Sequence, residues 1–467
     1  MQRMSFLNRA LLWSSCLLAL VALRPALAQP GGQGRPHLVY IFTDQQWAGA
    51  MSCAGNGDLA TPVLDGLAAR GVRFENAYCT QPLCVPSRTA MVTGVYPHEI
   101  AATHNTLSWP RAPVPMLGKL LAEAGYECAW FGKWHIPVAP ALSAEHGFAT
   151  VECDKGSATD EKLADACQRF LSRPHDRPLF LVASFLNPHN ICEWARGQPT
   201  PQGPIPPPPP PEQCPALPLN FEVPFDEPEV VRSIQARHAP GYPTTGWAPE
   251  RWRQYRWAYY RLVEKVDAQI GRFLEVLRAQ GLADNTLIVF SSDHGDGNAA
   301  HRWNQKQVLY DESARVPLIV CLPGTTAGRV DRSLVNAGLD LYPTLCDYAR
   351  LPLPGHLRGR SLRPLLEQTQ PAAWRNELVC ETEFANNAGG MGITGRALRT
   401  QRYKYICYSQ GQRREQLFDL EKDPGETLNL AAVPEMAAVL QDHRRRLADW
   451  CRQTADRFPV PGETESH

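Results

Sequence analysis

Five short runs of nearly unbroken apolar residues recur along this chain: His37–Thr43, Tyr126–Phe131, Pro178–Phe185, Thr286–Ser291 and Pro317–Leu322. A strand with one wet face alternates polar and apolar residues, whereas runs like these belong to strands buried on both faces. Helical patterns lie between them, at Thr61–Arg70, Met116–Glu123, Thr159–Ser172 and Glu250–Gln280. Pro62 suits a helical first turn and Gly281 a helical end. The pattern predicts an α/β fold, a mostly parallel sheet sandwiched by helices. Polar residues follow four of the runs: Asp44, Lys133, His189 and Asp293. Open sheets of this kind bind ligands at the carboxyl ends of their strands, so four distant segments should meet on one rim.

The pattern changes beyond about residue 372. Glu377–Phe384, Ala397–Tyr408 and Glu415–Leu420 alternate as half-buried antiparallel strands do, and Pro434–Gln453 reads as an amphipathic helix. The expected organisation is a large domain over 36–371 and a smaller C-terminal α+β subdomain over 372–455. Residues 197–218, with six consecutive prolines from Pro206, read as a stiff surface insertion.

Lysine plus arginine and aspartate plus glutamate both number 47 among 467 residues. Such a balance argues against a nucleic-acid partner or an anionic membrane surface, and any basic site must be local. Residues 1–28 read as an export signal: Arg3 and Arg9 precede an apolar run from Ala10 to Leu23, and Ala26-Leu27-Ala28 offers a cleavage site. That run is shorter than the roughly 20 residues a spanning helix needs, so no stable membrane anchor is expected and the mature chain should be secreted or periplasmic. Export permits disulfides among the 14 cysteines, whose pairing the sequence leaves open.

The segment Cys84-x-Pro86-Ser87-Arg88, followed by Thr93-Gly94, resembles the signature of the type I sulfatases, within the alkaline-phosphatase-like superfamily. Five further segments resemble that family's motifs in the family's order. They are Asp44 in Thr43-Asp44-Gln45-Gln46, Gly132-Lys133-Trp134-His135, Asn187-Pro188-His189, Ser292-Asp293-His294-Gly295-Asp296, and Lys306 to Pro317 with Tyr310 inside it. The stretch Leu417 to Leu430 resembles the terminal family signature. Secreted carbohydrate sulfatases such as sulfoglucosamine and iduronate sulfatases share this arrangement.

The resemblance implies that Cys84 is converted to formylglycine (3-oxoalanine) by a maturation enzyme. The hydrated aldehyde offers one hydroxyl to attack sulfur and a second to expel sulfate. It also implies a divalent cation held by Asp44, Gln45, matured Cys84, Asp293 and His294. The family commonly has a carboxylate where Gln45 stands and an amide where His294 stands. Oxygen ligands suit Ca2+, while the His294 nitrogen suits Mn2+ better, and Mg2+ remains an alternative. Arg88, Lys133 and Lys306 would orient the nucleophile and neutralise the sulfate oxygens. His135 would serve the diol, and His189 would protonate the leaving oxygen.

The expected activity is therefore hydrolysis of sulfate esters or N-sulfates of a sulfated carbohydrate. The same machinery serves phosphonate monoester and phosphodiester hydrolases, and a non-catalytic glycan-binding relative would keep the fold alone. Asp296, His301, His98 and His104 are further candidates for the pocket wall. A polar loop over 386–396, with Asn386, Asn387 and Arg396, is expected at the pocket mouth opposite Cys84.

Overall fold

The computed structural model describes residues 34–153, 160–239, 241–369, 374–386 and 388–462. The expected export signal, and Asn387, lie outside them. Eight strands form the main sheet: β1 (His37–Asp44), β2 (Val72–Tyr78), β3 (Glu127–Gly132), β4 (Thr150–Glu152), β5 (Leu179–Pro188), β6 (Thr286–Ser292), β7 (Leu318–Cys321) and β8 (Arg329–Asn336). Their order is β4-β3-β5-β1-β6-β7-β2-β8. β7 alone among these runs against its neighbours, pairing antiparallel with both β6 and β2. The fold is thus the mostly parallel α/β sheet expected.

Strand β1 shows why the runs are apolar throughout. Leu38, Tyr40 and Phe42 enter one core with Trp130 and Val182. Val39 and Ile41 point the other way, into a core with Leu181, Phe273 and Phe290. Helices α1 (Pro62–Ala68), α2 (Cys84–Thr93), α3 (Leu117–Glu123), α4 (Asp160–Leu171), α5 (Glu229–His238), α6 (Pro249–Ala279) and α7 (Ala337–Tyr348) are the longer ones accompanying this sheet. All ten residues of α2 are buried. A helix buried all round has no amphipathic period, so the hydrophobic pattern does not reveal it.

Strands β2 and β8 also escaped the sequence pattern. Charged residues interrupt both, and Arg332 on the edge strand β8 pairs with Glu75 on β2 at 2.7 Å. Charge on an edge strand prevents further pairing and hides the strand among polar segments. The second sheet holds β9 (Glu377–Asn386), β10 (Gly389–Thr400), β11 (Tyr403–Tyr408) and β12 (Glu415–Asp419), ordered β12-β11-β10-β9. The single strand expected over 397–408 is therefore two, turning at Gln401-Arg402. Helix α8 (Ala437–Thr454) packs Leu440 and Leu447 onto Val379, Leu398 and Tyr405. The other face meets the main body through Phe384, Ile406 and Phe418 against Tyr78, Leu309 and Tyr310.

The buried cysteines, Cys79, Cys128, Cys167, Cys192 and Cys407 among them, are free thiols rather than halves of disulfides. Among the described residues no helix is long and apolar enough to cross a membrane.

Gly132 ends β3 with φ +89°, and a Cβ there would stand 2.1 Å from the Ser184 carbonyl oxygen. That turn lets the next amide, Lys133 N–H, donate to the same oxygen at 2.9 Å. Gly132→Ala should therefore cost about 1–3 kcal/mol through backbone strain and displacement of β5, read as a lowered unfolding midpoint. Wild-type stability in this variant would show that the turn tolerates a side chain.

Candidate active site

The carboxyl ends of β1, β3, β5 and β6 deliver Asp44, Lys133, His189 and Asp293 to one rim. β2 leads, through Cys79–Leu83, into α2, which opens with Cys84. Because β7 runs the opposite way, the segment entering it also lies on this rim, and that segment carries Lys306.

Arg88 lies one helical turn beyond Cys84 and is completely buried. Its Nη2 donates to Asp44 Oδ2 at 2.7 Å and its Nε to Asp293 Oδ2 at 2.8 Å. Its Nη1 donates to the Lys133 carbonyl at 3.0 Å and to Ser184 Oγ at 2.9 Å. Arg88 is thus turned toward the carboxylates and backbone, and not toward substrate oxygens as expected. Ser87 Oγ donates to the Asp293 carbonyl at 2.5 Å, fastening the same helix from its next residue.

Cys84 Sγ sits 3.1 Å from Lys306 Nζ, 3.3 Å from His294 Nε2, 3.8 Å from Lys133 Nζ and 3.9 Å from Asp44 Oδ1. Burial and the Asp44 charge oppose ionisation of the thiol, yet Lys133, Lys306 and His294 hold it well below its ordinary value. The start of α2 adds its partial positive charge. Burial likewise opposes charge on Asp44, but Lys133, His189, Arg88 and Lys306 hold its carboxyl well below the usual range. Lys133 Nζ contacts Asp44 Oδ2 at 2.5 Å. Burial and the nearby Asp44 charge push Asp293 up to about 6.

Two buried carboxylates that resist simultaneous ionisation mark a place suited to a cation. One ligand atom from each of Asp44, Cys84, Asp293 and His294 lies within 4.8 Å of the others. Two carboxylates and an imidazole are apt donors for a divalent ion, so the residues present fit one. Gln45 behaves differently from the ligand expected of it. Its Oε1 accepts from Lys306 Nζ at 3.2 Å and its Nε2 donates to Asp296 Oδ2 at 2.8 Å. Asp296 also accepts from Tyr255 Oη at 2.9 Å, so it is buried and braces Gln45.

His135 sits beside Cys84, and burial lowers its pKa against the pull of the thiolate. Burial, then Lys306, holds His189 well below the ordinary histidine value. His189 and Lys306 line a cavity of about 580 Å³, together with Asn105, Arg237, Tyr242 and Asn386. Asn386 is where the expected loop meets this cavity. The rest of that loop is the hairpin of β9 and β10, with a bulge between Gly390 and Thr394. Arg396 is not at the mouth, because it is buried in β10 and its Nε donates to Asp456 at 2.6 Å.

The other expected wall residues are also placed elsewhere. His98 Nδ1 pairs with Glu381 at 2.6 Å. His301 is buried and stacks on Tyr310 with ring centres 4.1 Å apart. His104 Nδ1 bonds Thr106 Oγ1, a residue of the cavity wall, at 2.9 Å. Sequence reasoning missed Arg237, His238 and Tyr242. The signal available was Pro228-Glu229 followed by Val230, Val231 and Ile234, the start and apolar spacing of α5.

With this geometry established, comparison with known proteins gives the class. The family model "Sulfatase" matches residues 36–351, and the model "N-sulphoglucosamine sulphohydrolase, C-terminal" matches 299–453. The chain belongs to the sulfatase family and is a sulfuric ester hydrolase. It is 33% identical to a Delta 4,5-hexuronate-2-O-sulfatase of Bacteroides thetaiotaomicron, over 94% of this chain and 93% of the relative. An N-acetylglucosamine-6-O-sulfatase of the same organism is 28% identical over 97% of this chain and 93% of its own. Among solved structures, a 2-O GAG sulfatase superposes with TM-score 0.76 at 33% identity, covering 90% of this chain and 93% of that one. The phosphonate monoester hydrolase of Agrobacterium radiobacter superposes with TM-score 0.74 at 25% identity, covering 92% and 98%.

Arg88→Met removes the guanidinium shared by both carboxylates while keeping apolar bulk. Leaving buried charges unpaired should cost about 3–5 kcal/mol in metal-free protein. A saturating divalent ion should restore part of that loss, since it supplies positive charge at the same place. A melting temperature insensitive both to the substitution and to the ion would contradict this account of the centre.

Proposed function

We propose that this chain is an exported, metal-dependent sulfatase that hydrolyses sulfate esters or N-sulfates of a carbohydrate through formylglycine formed at Cys84. The observation that carries the reading is the position of Cys84, with Lys306 at 3.1 Å and His294 at 3.3 Å, beside a cavity lined by His189. A serine or an unmodified cysteine would form a sulfated side chain with no internal route of release. The carbohydrate part draws on relatives named for sulfated uronate and sulfated glucosamine, and export draws on residues 1–28.

A divalent ion at Asp44, Asp293, His294 and the matured Cys84 would draw charge from the sulfate and lower the pKa of the attacking hydroxyl. Calcium suits the carboxylates, and manganese suits the added His294 nitrogen. Gln45 takes the supporting task of holding Lys306. Lys306 and Lys133 offset the charge of the sulfate oxygens. Arg88 keeps Asp44 and Asp293 in register. His189 gives its proton to the leaving oxygen as the S–O bond breaks, and His135 takes the proton of the hydroxyl that expels sulfate. Burial, helped by Lys306 and Lys133, keeps His189 neutral in the free site, and an arriving sulfate offsets the lysines and favours its protonation.

A second reading keeps this machinery and changes the substrate to a phosphonate monoester or phosphodiester. Its support is the structural likeness to a phosphonate monoester hydrolase.

Protein matured in a competent host should yield a Cys84 peptide about 18 Da lighter than the cysteine form. Cys84→Ala should fold and release no sulfate from a panel of sulfated sugars. Full turnover by that variant would end the proposal, and faster cleavage of a phosphonate monoester than of every sulfate would favour the second reading.

His189→Ala should lower sulfate release from a sugar by about 10²–10⁴-fold, the range of general acid catalysis. An aryl sulfate, whose phenolate leaves without a proton, should lose far less. Equal losses on both substrates would remove His189 from the leaving-group role.

A further inference from the structure

We infer that Arg237 reads a carboxylate on the substrate, so that the preferred substrate is a sulfated uronate. The inference rests on the carbohydrate sulfatase reading above and adds to it the residue that selects the sugar. The guanidinium expected at Arg396 is supplied from a different element, the last turn of α5.

The cavity has the size of a typical small-molecule site. Two of its lining residues, Lys306, which contacts Cys84 and Gln45, and His189, are the ones the proposed reaction assigns to the sulfate and the leaving oxygen. Most polar groups along its walls are also engaged by protein. Asn105 Oδ1 accepts the Val85 amide at 3.0 Å. Tyr242 Oη accepts from Arg196 at 2.8 Å. Gln307 Oε1 accepts the Ala385 amide at 2.6 Å. His238 bonds the Ala385 backbone. Arg237 differs: it is exposed, it lines the cavity, and among the described residues it has no carboxylate partner.

Among the described residues no aspartate or glutamate lines this cavity, while the cations Lys306 and Arg237 both do. A neutral sugar sulfate would engage only Lys306. A sugar bearing both a sulfate and a carboxylate would match both, and a guanidinium suits a planar carboxylate through two parallel hydrogen bonds. The support beneath Arg237 is firm. Gln235 Nε2 donates to the Arg302 carbonyl at 2.6 Å, and Arg232 Nη2 donates to the His301 carbonyl at 2.8 Å. Those bonds fix α5 against the segment that leads into Lys306.

The test uses the matured full chain with three substrates: an unsaturated hexuronate 2-sulfate disaccharide, its carboxyl methyl ester, and an aryl sulfate. The wild type should prefer the free acid over the ester by about 10–100-fold in kcat/KM, the worth of a charge-assisted hydrogen bond. Arg237→Ala should abolish that preference, chiefly through KM, while changing the ester and aryl sulfate by less than about threefold. Arg237→Lys should recover part of it and Arg237→Gln none. Calorimetry of the desulfated uronate disaccharide with Cys84→Ala protein, with and without Arg237→Ala, reads the same contact without turnover. Equal losses on all three substrates, no loss on any, or uronate binding that ignores Arg237 would overturn the inference. Failure of the wild type to release sulfate from any sugar would instead defeat the carbohydrate reading, and the calorimetry would still decide the role of Arg237.

Discussion

The site depends on one buried guanidinium. Arg88 joins Asp44 at the end of β1, Lys133 beyond β3, Ser184 in β5 and Asp293 beyond β6, and it does so from α2. The ring of Phe42 lies beneath it at 4.9 Å. A lysine could not replace this planar fork, which meets four acceptors in fixed directions. Cys84 and Arg88 are four residues apart on one helix and so share a face. Anchoring Arg88 therefore anchors the nucleophile. The spacing Cys-x-Pro-Ser-Arg is a geometric requirement: Ser87 and Arg88 fasten α2 to Asp293, and Cys84 is what that fastening places.

The reversed strand β7 answers a second requirement. In a wholly parallel sheet, the segment preceding a strand enters from the rim opposite the site. Lys306 precedes β7 and must still stand 3.1 Å from Cys84 Sγ. Reversing β7 between β6 and β2 brings its entry to the catalytic rim. The result is a cluster in which Lys133, Lys306 and Arg88 face two carboxylates and a thiol, all within a buried volume where charge is weakly screened. The opposite shifts of Asp44 and Asp293 follow from that crowding.

Much of this was legible because the strands are apolar on both faces and their ends are polar. The runs at His37–Thr43, Tyr126–Phe131, Pro178–Phe185 and Thr286–Ser291 correspond to β1, β3, β5 and β6, and the residues after them do share a rim. What escaped had physical causes. α2 is buried all round and carries no amphipathic period. β2 and β8 carry paired charges. The direction of β7 depends on pairing partners far away in sequence. Side-chain tasks were the least legible. Gln45 and Arg88 stand on the expected rim, yet what each touches is decided by Lys306, Asp296 and the two carboxylates arriving from other segments. Arg396 looked like a loop donor because glycines precede it, but a hairpin buries it against Asp456.

The small sheet belongs to the site as well. Gln307, the residue after Lys306, has φ +77°, a conformation its side chain does not favour. Three contacts hold it there. Its amide donates to the Pro82 carbonyl at 2.9 Å, close before Cys84. Its carbonyl accepts Thr382 Oγ at 2.8 Å, and its Oε1 accepts the Ala385 amide at 2.6 Å. Both of the latter partners are in β9. The distance between Lys306 and Cys84 is thus set partly by a strand that begins some seventy residues further along the chain. The terminal signature tightens the same seam, for Glu426 accepts the Asp311 amide at 2.7 Å and pairs with the buried Lys404, also at 2.7 Å. The small sheet thus supports the residue beside Lys306 and supplies the Asn386 corner of the cavity.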